Sequence, residues 1–416
     1  MEREDLSPES PFDVLKLKEF RLYIIQRLFF TMGMRMIATV VFWQMYVITK
    51  NPLAVAFIGL SEAIPAISLS LYSGHVVDKS DNRKLMFSTT LVYVLFAAAL
   101  LVISIPAVGN SMGKHFLQYS IYIIIFGTGV VRAFLGPVTN SILAQLVPKS
   151  YLPIAVTWRS GVWLGASVIG HASAGFLIAY SGYIVTFSVI ITFILIASAA
   201  AFLIKPKPIQ NKKTDQKTWD SVKEGLRYVL GTKELLGAMT LDLFAVLFGG
   251  TVAMIPFFAG EILKVGAIGF GWLNAATDIG SIAIIICLTL FPLKKKQGLL
   301  LLYVVAGYGI CIITFGLSTI YWLSFVALLF SGVLDGISVV IRGTILQLKT
   351  PDEMRGRVSA INSMFINSAN EIGGFESGVA ARIMGIVPSV IFGGSMTLLV
   401  VVGSWFKAPS LRRFQY

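Results

Sequence analysis

Apolar residues occur along this chain in long runs, and short polar connections separate one run from the next. An α-helix needs about 20 apolar residues to cross roughly 30 Å of hydrocarbon. By that measure the pattern predicts an all-α polytopic membrane protein with twelve transmembrane helices. We expect these spans at residues 20–48, 52–77, 84–106, 116–146, 153–180, 183–204, 236–263, 267–291, 298–319, 321–348, 357–385 and 387–407.

One long polar connection divides the spans into two groups of six. The stretch "SILAQLVP" at the end of span 4 resembles "GTILQLKTP" at the end of span 10, which indicates that the two groups are repeats. Paired six-helix halves are typical of transporters that bind their substrate near the bilayer midplane. We therefore expect a cytoplasmic segment at 1–19, an N-terminal half at 20–204, a cytoplasmic linker at 205–235, a C-terminal half at 236–407 and a cytoplasmic tail at 408–416.

The linker carries an amphipathic pattern, which predicts a short helix that packs on the bundle at the inner membrane surface. Contact with lipid is the alternative role for this helix. Its apolar residues recur at helical spacing and are Trp219, Val222, Leu226, Val229 and Leu230.

Composition and charge agree with a membrane protein. Of the 416 residues, 56% are hydrophobic and 13% are charged, whereas soluble domains carry about 25% charged residues. The net charge of +13 lies in short clusters between apolar runs, so it does not indicate a nucleic-acid partner. If the N-terminus is cytoplasmic, 25 of the 34 Lys and Arg residues lie in cytoplasmic segments and three lie outside. By the positive-inside rule we expect both termini in the cytoplasm.

Charged residues also occur inside the spans, where an ionised group costs from about 3 kcal/mol upward. Spans 3, 6, 9 and 12 have none in their apolar cores, so we expect these helices to face lipid. On the other spans the polar residues share helical faces. Eight of them are expected to line a central cavity for substrate or proton coupling, namely Arg35, Glu62, Arg132, Asp278, Asp335, Arg342, Asn367 and Glu371.

These embedded groups allow more than one interpretation. Arg35 and Arg132 favour an anionic or polar cargo, while Asp335, Glu62 or Glu371 is expected to exchange protons. A structural ion pair between Arg132 and Asp335 is another interpretation.

Three further embedded residues are expected to have structural roles. His171 is expected to be packed and hydrogen-bonded, with a proton relay as its alternative. Asp242 and Glu261 lie near the ends of span 7 and are expected to anchor it at the interface.

The connection between spans 2 and 3 carries the charged stretch "YSGHVVDKSDNRKL". It is similar to the loop signature of the major facilitator superfamily, approximately G-x-x-x-D-[RK]-x-G-[RK]-[RK]. Asp81 and Asn82 depart from that signature, since they stand where glycine and a basic residue are usual. The matching positions, which the resemblance assigns to a conformational gate, are Gly74, Asp78, Lys79, Arg83 and Lys84.

Other stretches resemble a bacterial branch of that superfamily, which includes enterobactin-exporter-like and drug-efflux members. They are "LDLFAVLFGG" in span 7 and "QLKTPDEMRGRVSAINSMF" at the start of span 11. The resemblance implies alternating access by rocking of two halves, with Asp78 contacting the cytoplasmic end of span 11 to close the inner gate. Gly74 would permit close helix approach, and Arg83 would pair with carboxylates.

Two family motifs are matched in part. Arg132 and Gly136 fit the span 4 motif, whose arginine is associated with proton coupling in proton-driven members. The antiporter motif of span 5 corresponds to "GASVIGHASAG", where His171 occupies the position of a proline.

On this basis we expect a secondary transporter of a bacterial inner membrane, a proton-coupled exporter of small organic molecules such as drugs or siderophore-like metabolites. Its expected partners are a small-molecule substrate, protons and the lipid bilayer, and its expected state is a monomer. An uptake carrier and a lysolipid transporter are alternatives on the same fold. A membrane-embedded enzyme is the alternative from another class, but three His residues in total offer no catalytic constellation. Neither a cofactor nor a metal is expected.

Overall fold

A computed structural model of the chain describes residues 10–206, 218–291, 293, 296–351 and 354–415. The side chains of 71, 75, 78, 218–222, 360 and 367 are not among the parts that it describes. The described chain is helical and contains no strand. It divides into two compact units, which are residues 1–41 with 64–215 and residues 42–63 with 216–416.

The first part of the chain forms six α-helices. They are α1 (Lys18–Thr49), α2 (Pro52–Lys79), α3 (Asn82–Ser104), α4 (Pro106–Met112), α5 (Lys114–Leu146) and α6 (Leu152–Leu203). α6 is interrupted at Gly182, whose φ of 73° and ψ of −178° are non-helical. Glycine adopts a positive φ without steric cost, so α6 contains two spans joined at this residue.

The described residues from 218 onward form nine α-helices of very different lengths. They are α7 (Thr218–Gly231), α8 (Lys233–Gly249), α9 (Ile255–Phe257), α10 (Gly266–Leu290), α11 (Gln297–Leu317), α12 (Tyr321–Lys349), α13 (Arg355–Met384), α14 (Ile386–Lys407) and α15 (Pro409–Arg412). A π-helix at Phe258–Ile262 follows α9 directly.

The prediction of an all-α polytopic membrane fold is confirmed. Within the described residues, nine helices are long and apolar enough to cross a membrane, with α6 counted once. The break in α6 adds a tenth span, and α8 and α13 occupy the positions of predicted spans 7 and 11. The helices are therefore consistent with the twelve predicted spans.

Span 7 differs from its prediction, because it is not one continuous helix over 236–263. α8 ends at Gly249, and the chain leaves the helical conformation at Gly250. The two carbonyl groups freed there accept hydrogen bonds, from Tyr308 to Gly249 at 3.1 Å and from Ser377 to Gly250 at 2.6 Å. These bonds satisfy acceptors that a helix end leaves open. Tertiary partners thus stabilise the break, and the apolar pattern along the chain did not reveal them.

Close packing joins α10 to α12 in the second unit. A Cβ on Gly280 would lie 2.9 Å from the main-chain nitrogen of Val333, and one on Gly332 would lie 2.7 Å from the carbonyl carbon of Thr277. The Ser281 hydroxyl donates to the carbonyl of Gly332 at 3.0 Å. Small residues let membrane helices approach in this way. The approach allows both helices to contribute side chains to one cavity.

The helix predicted in the linker corresponds to α7, which packs on α13. Gly225 faces this contact, since a Cβ there would lie 2.9 Å from the Ile361 side chain. Glu224 forms an ion pair with Arg357 at 2.5 Å. Trp219 and Val222 have side chains outside the described parts of the structure, Val229 is buried, and Leu226 and Leu230 are exposed. Its location at the inner membrane surface stays a prediction.

Candidate functional site

The second unit contains a cavity of about 230 Å³ whose wall combines apolar and polar side chains. Three helices of this unit, α8, α10 and α12, each contribute one aspartate to it. The remaining polar lining comes from short side chains and one phenol. The polar lining residues are Asp242, Thr251, Asn274, Thr277, Asp278, Ser281, Tyr308, Ser331, Asp335, Ser338 and Asn370.

Arg342 is the positive charge of this site. It forms an ion pair with Asp242, and the exposed fractions of the two side chains are only 10% and 8%. Its Nη2 also lies 3.6 Å from Oδ1 of Asp335, whose side chain is 46% exposed. Its Nε donates to the Ser338 hydroxyl at 3.1 Å, which helps to hold the guanidinium in place. One arginine is therefore shared by a buried carboxylate and an accessible one.

The helical period explains why α12 supplies so much of the site. Ser331, Asp335, Ser338 and Arg342 are spaced by four, three and four residues, so they lie along one face of the helix. Ser331 and Ser338 are buried on that face. Short polar side chains leave room there for the longer Asp335 and Arg342.

The interpretation of Asp242 as an interfacial anchor is wrong. Its side chain is buried, is paired with Arg342 and contributes to the cavity wall. The sequence predicts span 7 as one helix over 236–263, in which residue 242 lies near one end. Since α8 ends at Gly249, Asp242 lies near the middle of that helix. The adjacent Gly249 and Gly250 are the signal in the sequence that pointed to this break.

Glu62 and Glu371 are not among the described residues that line the cavity. Glu62 and Glu371 are both half-buried. A Cβ on Gly59 would lie 3.0 Å from Oε2 of Glu371, which places this carboxylate against α2. Asn367 belongs to α13, and its side chain is not described. Of the predicted residues, Asp278 and Asp335 line the cavity, and Arg342 contacts Asp335.

Arg35 and Arg132 belong to the first unit, where Arg35 lies between α1 and α6. Its guanidinium lies over the ring of Trp163, 4.9 Å from the centroid. One turn further along α1, Thr39 Oγ1 lies 2.7 Å from Nδ1 of the buried His171. His171 is therefore packed and hydrogen-bonded, as the first interpretation expected. Arg132 is half-buried on α5.

The predicted gate follows α2 into α3. The expected role of Gly74 in close helix approach is not seen, since a Cβ there would meet no atom within 4 Å among the described residues. Lys79 and Lys84 are exposed. The Asp78 side chain is outside the described parts of the structure, so its contact with span 11 stays a prediction.

Among the described residues, Arg83 contacts a main-chain carbonyl group and no carboxylate. Its guanidinium donates to the carbonyl of Phe202 near the C-terminus of α6, where a cation is favoured by the helix dipole, and it lies 4.9 Å from the centre of the Phe202 ring. The two departures from the family signature also have partners. Asp81 caps α3 by accepting from the N–H of Arg83 at 3.0 Å, and Asn82 donates to the Ser141 hydroxyl at 2.7 Å.

We expect Asp81→Ala to destabilise the first unit by about 1 kcal/mol, the usual cost of losing an N-cap. Asp81→Ser retains a capping oxygen and is the matched control. Thermal unfolding of both purified variants in detergent checks the prediction. Equal transition temperatures for the alanine and serine variants would show that the cap does not contribute.

The chain is similar to one protein family and to individual bacterial transporters. The family model described as "Transmembrane secretion effector" matches residues 9–414. The MFS-type transporter YfiS of Bacillus subtilis (strain 168) is 25% identical over 366 residues, which cover 84% of this chain and 83% of YfiS. Enterobactin exporter EntS of Escherichia coli O1:K1 / APEC is 27% identical over 253 residues, or 60% of this chain and 59% of EntS. The match thus spans little more than half of that exporter.

Two solved structures have the same fold. A D-xylose-proton symporter has a TM-score of 0.73 and 14% identity, covering 96% of this chain and 99% of the symporter. A bacterial homologue of the human lysosomal transporter Spinster has a TM-score of 0.69 and 14% identity, covering 95% of this chain and 97% of the homologue. At these identities the likeness establishes the fold alone.

Proposed function

The chain belongs to the major facilitator superfamily, and we propose that it is a proton-coupled exporter of small organic molecules. The family consists of transporters and not of enzymes, and the protein is a multi-pass membrane transporter. In this proposal the protein exports its substrate, is driven by protons and works by alternating access. We also propose a bacterial inner membrane, cytoplasmic termini and a monomeric state.

The observation that carries proton coupling is the sharing of Arg342 by Asp242 and Asp335. With both carboxylates ionised the three side chains have a net charge of −1, and one bound proton brings that charge to zero. An uncompensated charge at membrane depth is costly, so proton binding changes the energy of the site substantially. Asp335 is the accessible member of the pair, and we assign it the exchanged proton.

Export is supported by the relative EntS, whose name describes an enterobactin exporter. The orientation is supported by the excess of Lys and Arg in the segments assigned to the cytoplasm. For the gate, we propose that Gly74, Asp78, Lys79, Arg83 and Lys84 act at the cytoplasmic end of the first unit. The cap at Asp81 would position the start of α3 for this role.

Everted membrane vesicles test the coupling directly. Respiration acidifies their lumen, and acridine orange reports its pH, so a substrate that exchanges for protons raises the fluorescence of the dye. A panel of organic acids, amines and neutral metabolites supplies the substrates. We expect a fluorescence rise with at least one class of compound, whereas an uptake symporter would give none.

Asp335→Asn is expected to reduce this exchange at least tenfold, because the variant holds the site in a state that no proton can enter or leave. Glu261→Gln is the matched control, since Glu261 is exposed in the π-helix. Exchange of labelled substrate across vesicles without a pH gradient should persist in both variants. Full gradient-driven exchange by Asp335→Asn would contradict the assignment of the proton to this residue.

A further inference from the structure

The first unit contains a cluster of polar side chains that the proton site does not use. It lies between α1 and the first part of α6. Arg27 is close enough to Tyr23, Arg159 and Arg35 to interact electrostatically with each of them. Tyr23 is fully buried, and its hydroxyl donates to the carbonyl of Thr139 at 3.3 Å. The cluster therefore places the guanidinium groups of Arg27 and Arg159 near the buried phenol of Tyr23.

Neutral groups hold Arg159 in this cluster. Its Nη1 donates to Oδ1 of Asn140 on α5, and its side chain is close enough to Tyr23 to interact with the phenol electrostatically. A guanidinium has five N–H donors in a planar fork, so these contacts orient it and leave further donors. The chain thus fixes the direction of Arg159 without neutralising its charge.

The sequence of the first unit provides no embedded carboxylate to balance these arginines. Residues 20–41 and 64–204 contain only Asp78 and Asp81 as acidic residues, and both belong to the connection between α2 and α3. The buried polar atoms of α1 that lack a hydrogen-bond partner within the described chain include Nε of Arg27 and Oγ1 of Thr31. Positive charge and unused donors thus coincide on one side of α1.

We propose that Arg27 and Arg159 form a binding site for an oxyanion, a carboxylate or a phosphate. Guanidinium groups bind such anions through paired, charge-assisted hydrogen bonds. Thr31 and Tyr23 lie on the same helix, and Asn140 faces it from α5. The inference rests on the proposed function in one respect, since we assign the oxyanion to the transported molecule. The exported class is then organic acids or phosphate esters.

Arg27 and Arg159 lie near the starts of their helices, where a transported molecule would enter from the cytoplasm. Arg27 lies nine residues into α1 and Arg159 seven residues into α6, which corresponds to about 10–14 Å from each helix start at 1.5 Å per residue. Both helices start at the side that the charge distribution assigns to the cytoplasm. A cargo leaving the cell would meet these arginines before it reaches the membrane midplane.

Equilibrium binding to the purified full chain tests the site without any gradient. The protein is placed in nanodiscs of phosphatidylcholine, and calorimetry follows titration with benzoate, phenyl phosphate and the neutral benzamide. We expect saturable binding of at least one anion and none of benzamide. Arg27→Gln and Arg159→Gln should each weaken that binding at least tenfold. Arg382→Gln is the matched control, because Arg382 is exposed near the end of α13.

Nanodiscs with phosphatidylglycerol identify the source of the anion. Weaker anion binding in the presence of this lipid would show that a headgroup phosphate also occupies the site. Unchanged anion binding would assign the site to the transported molecule alone. If a glutamine variant does not fold, Arg27→Lys and Arg159→Lys replace it. The lysine variants keep the positive charge but lose the paired N–H donors of the guanidinium. They should therefore weaken anion binding severalfold.

Two results would overturn the site. They are equal anion binding by the wild type and the variants, and equal binding of benzamide and benzoate. Neither result depends on proton-driven exchange, so failure here is distinguishable from failure of the Asp335 experiment.

Discussion

Replacing Arg342 with glutamine is expected to lower the free energy of unfolding by about 3–5 kcal/mol and to abolish transport. The substitution leaves the Asp242 carboxylate, which is 8% exposed, without its cation. Removing one partner of a buried ion pair has about this cost, because the remaining charge stays buried and uncompensated. Titration with denaturing detergent, followed by tryptophan fluorescence, measures the change in stability.

The double variant Asp242→Asn with Arg342→Gln separates the two causes of this loss. It removes both buried charges, so we expect most of the lost stability to return while proton-driven transport stays absent. Glutamine and asparagine can still hydrogen-bond across the same space. If the double variant were as unstable as Arg342→Gln alone, packing of the arginine and not its charge would be the source of the effect.

Replacing Gly332 with alanine is expected to be the other severe change, with a loss in the free energy of unfolding of about 1–3 kcal/mol. A Cβ at this position would lie 2.7 Å from the carbonyl carbon of Thr277, and a main-chain atom cannot rotate away as a side chain can. The helices α10 and α12 would have to separate, which costs packing energy of the size seen for overpacked cores. Asp278 and Asp335 on these helices would shift with them, so transport should fall as well.

Gly343 provides a matched control on the same helix. A Cβ there would meet no described atom within 4 Å, and alanine is a better helix former than glycine by about 1 kcal/mol. We therefore expect Gly343→Ala to unfold at the same temperature as the wild type or slightly above it. Similar behaviour of the two alanine variants would mean that α10 and α12 do not depend on this close approach.

The helices could be predicted closely from the sequence, because the hydrocarbon core of a bilayer offers the backbone no water for hydrogen bonding. Each main-chain N–H and C=O in the bilayer needs an internal partner, and a continuous helix provides it. Span 10 was expected at 321–348 and α12 is Tyr321–Lys349. Span 7 was missed as a broken helix, since the partners of its freed carbonyls lie on α11 and α13.

The candidate site could be predicted only in part. Asp335 and Arg342 share one face of α12, and their spacing alone was enough to predict that they lie on the same side of that helix. Asp242 was misplaced, because depth was counted along a helix longer than α8. The ion pair between Asp242 and Arg342 joins helices that are distant in the sequence, and no local pattern selects one such pairing among several.

The sequence by itself therefore determined the class of protein, the approximate position of the spans and the charges buried in each part of the chain. These follow from hydropathy, length and residue type, which act on each segment separately. The tertiary structure decided which carboxylate holds Arg342, why Gly332 has no room for a side chain when Gly343 does, and where Arg159 finds its partners. Those features depend on which helices become neighbours, and contacts between helices are settled by packing across the whole unit.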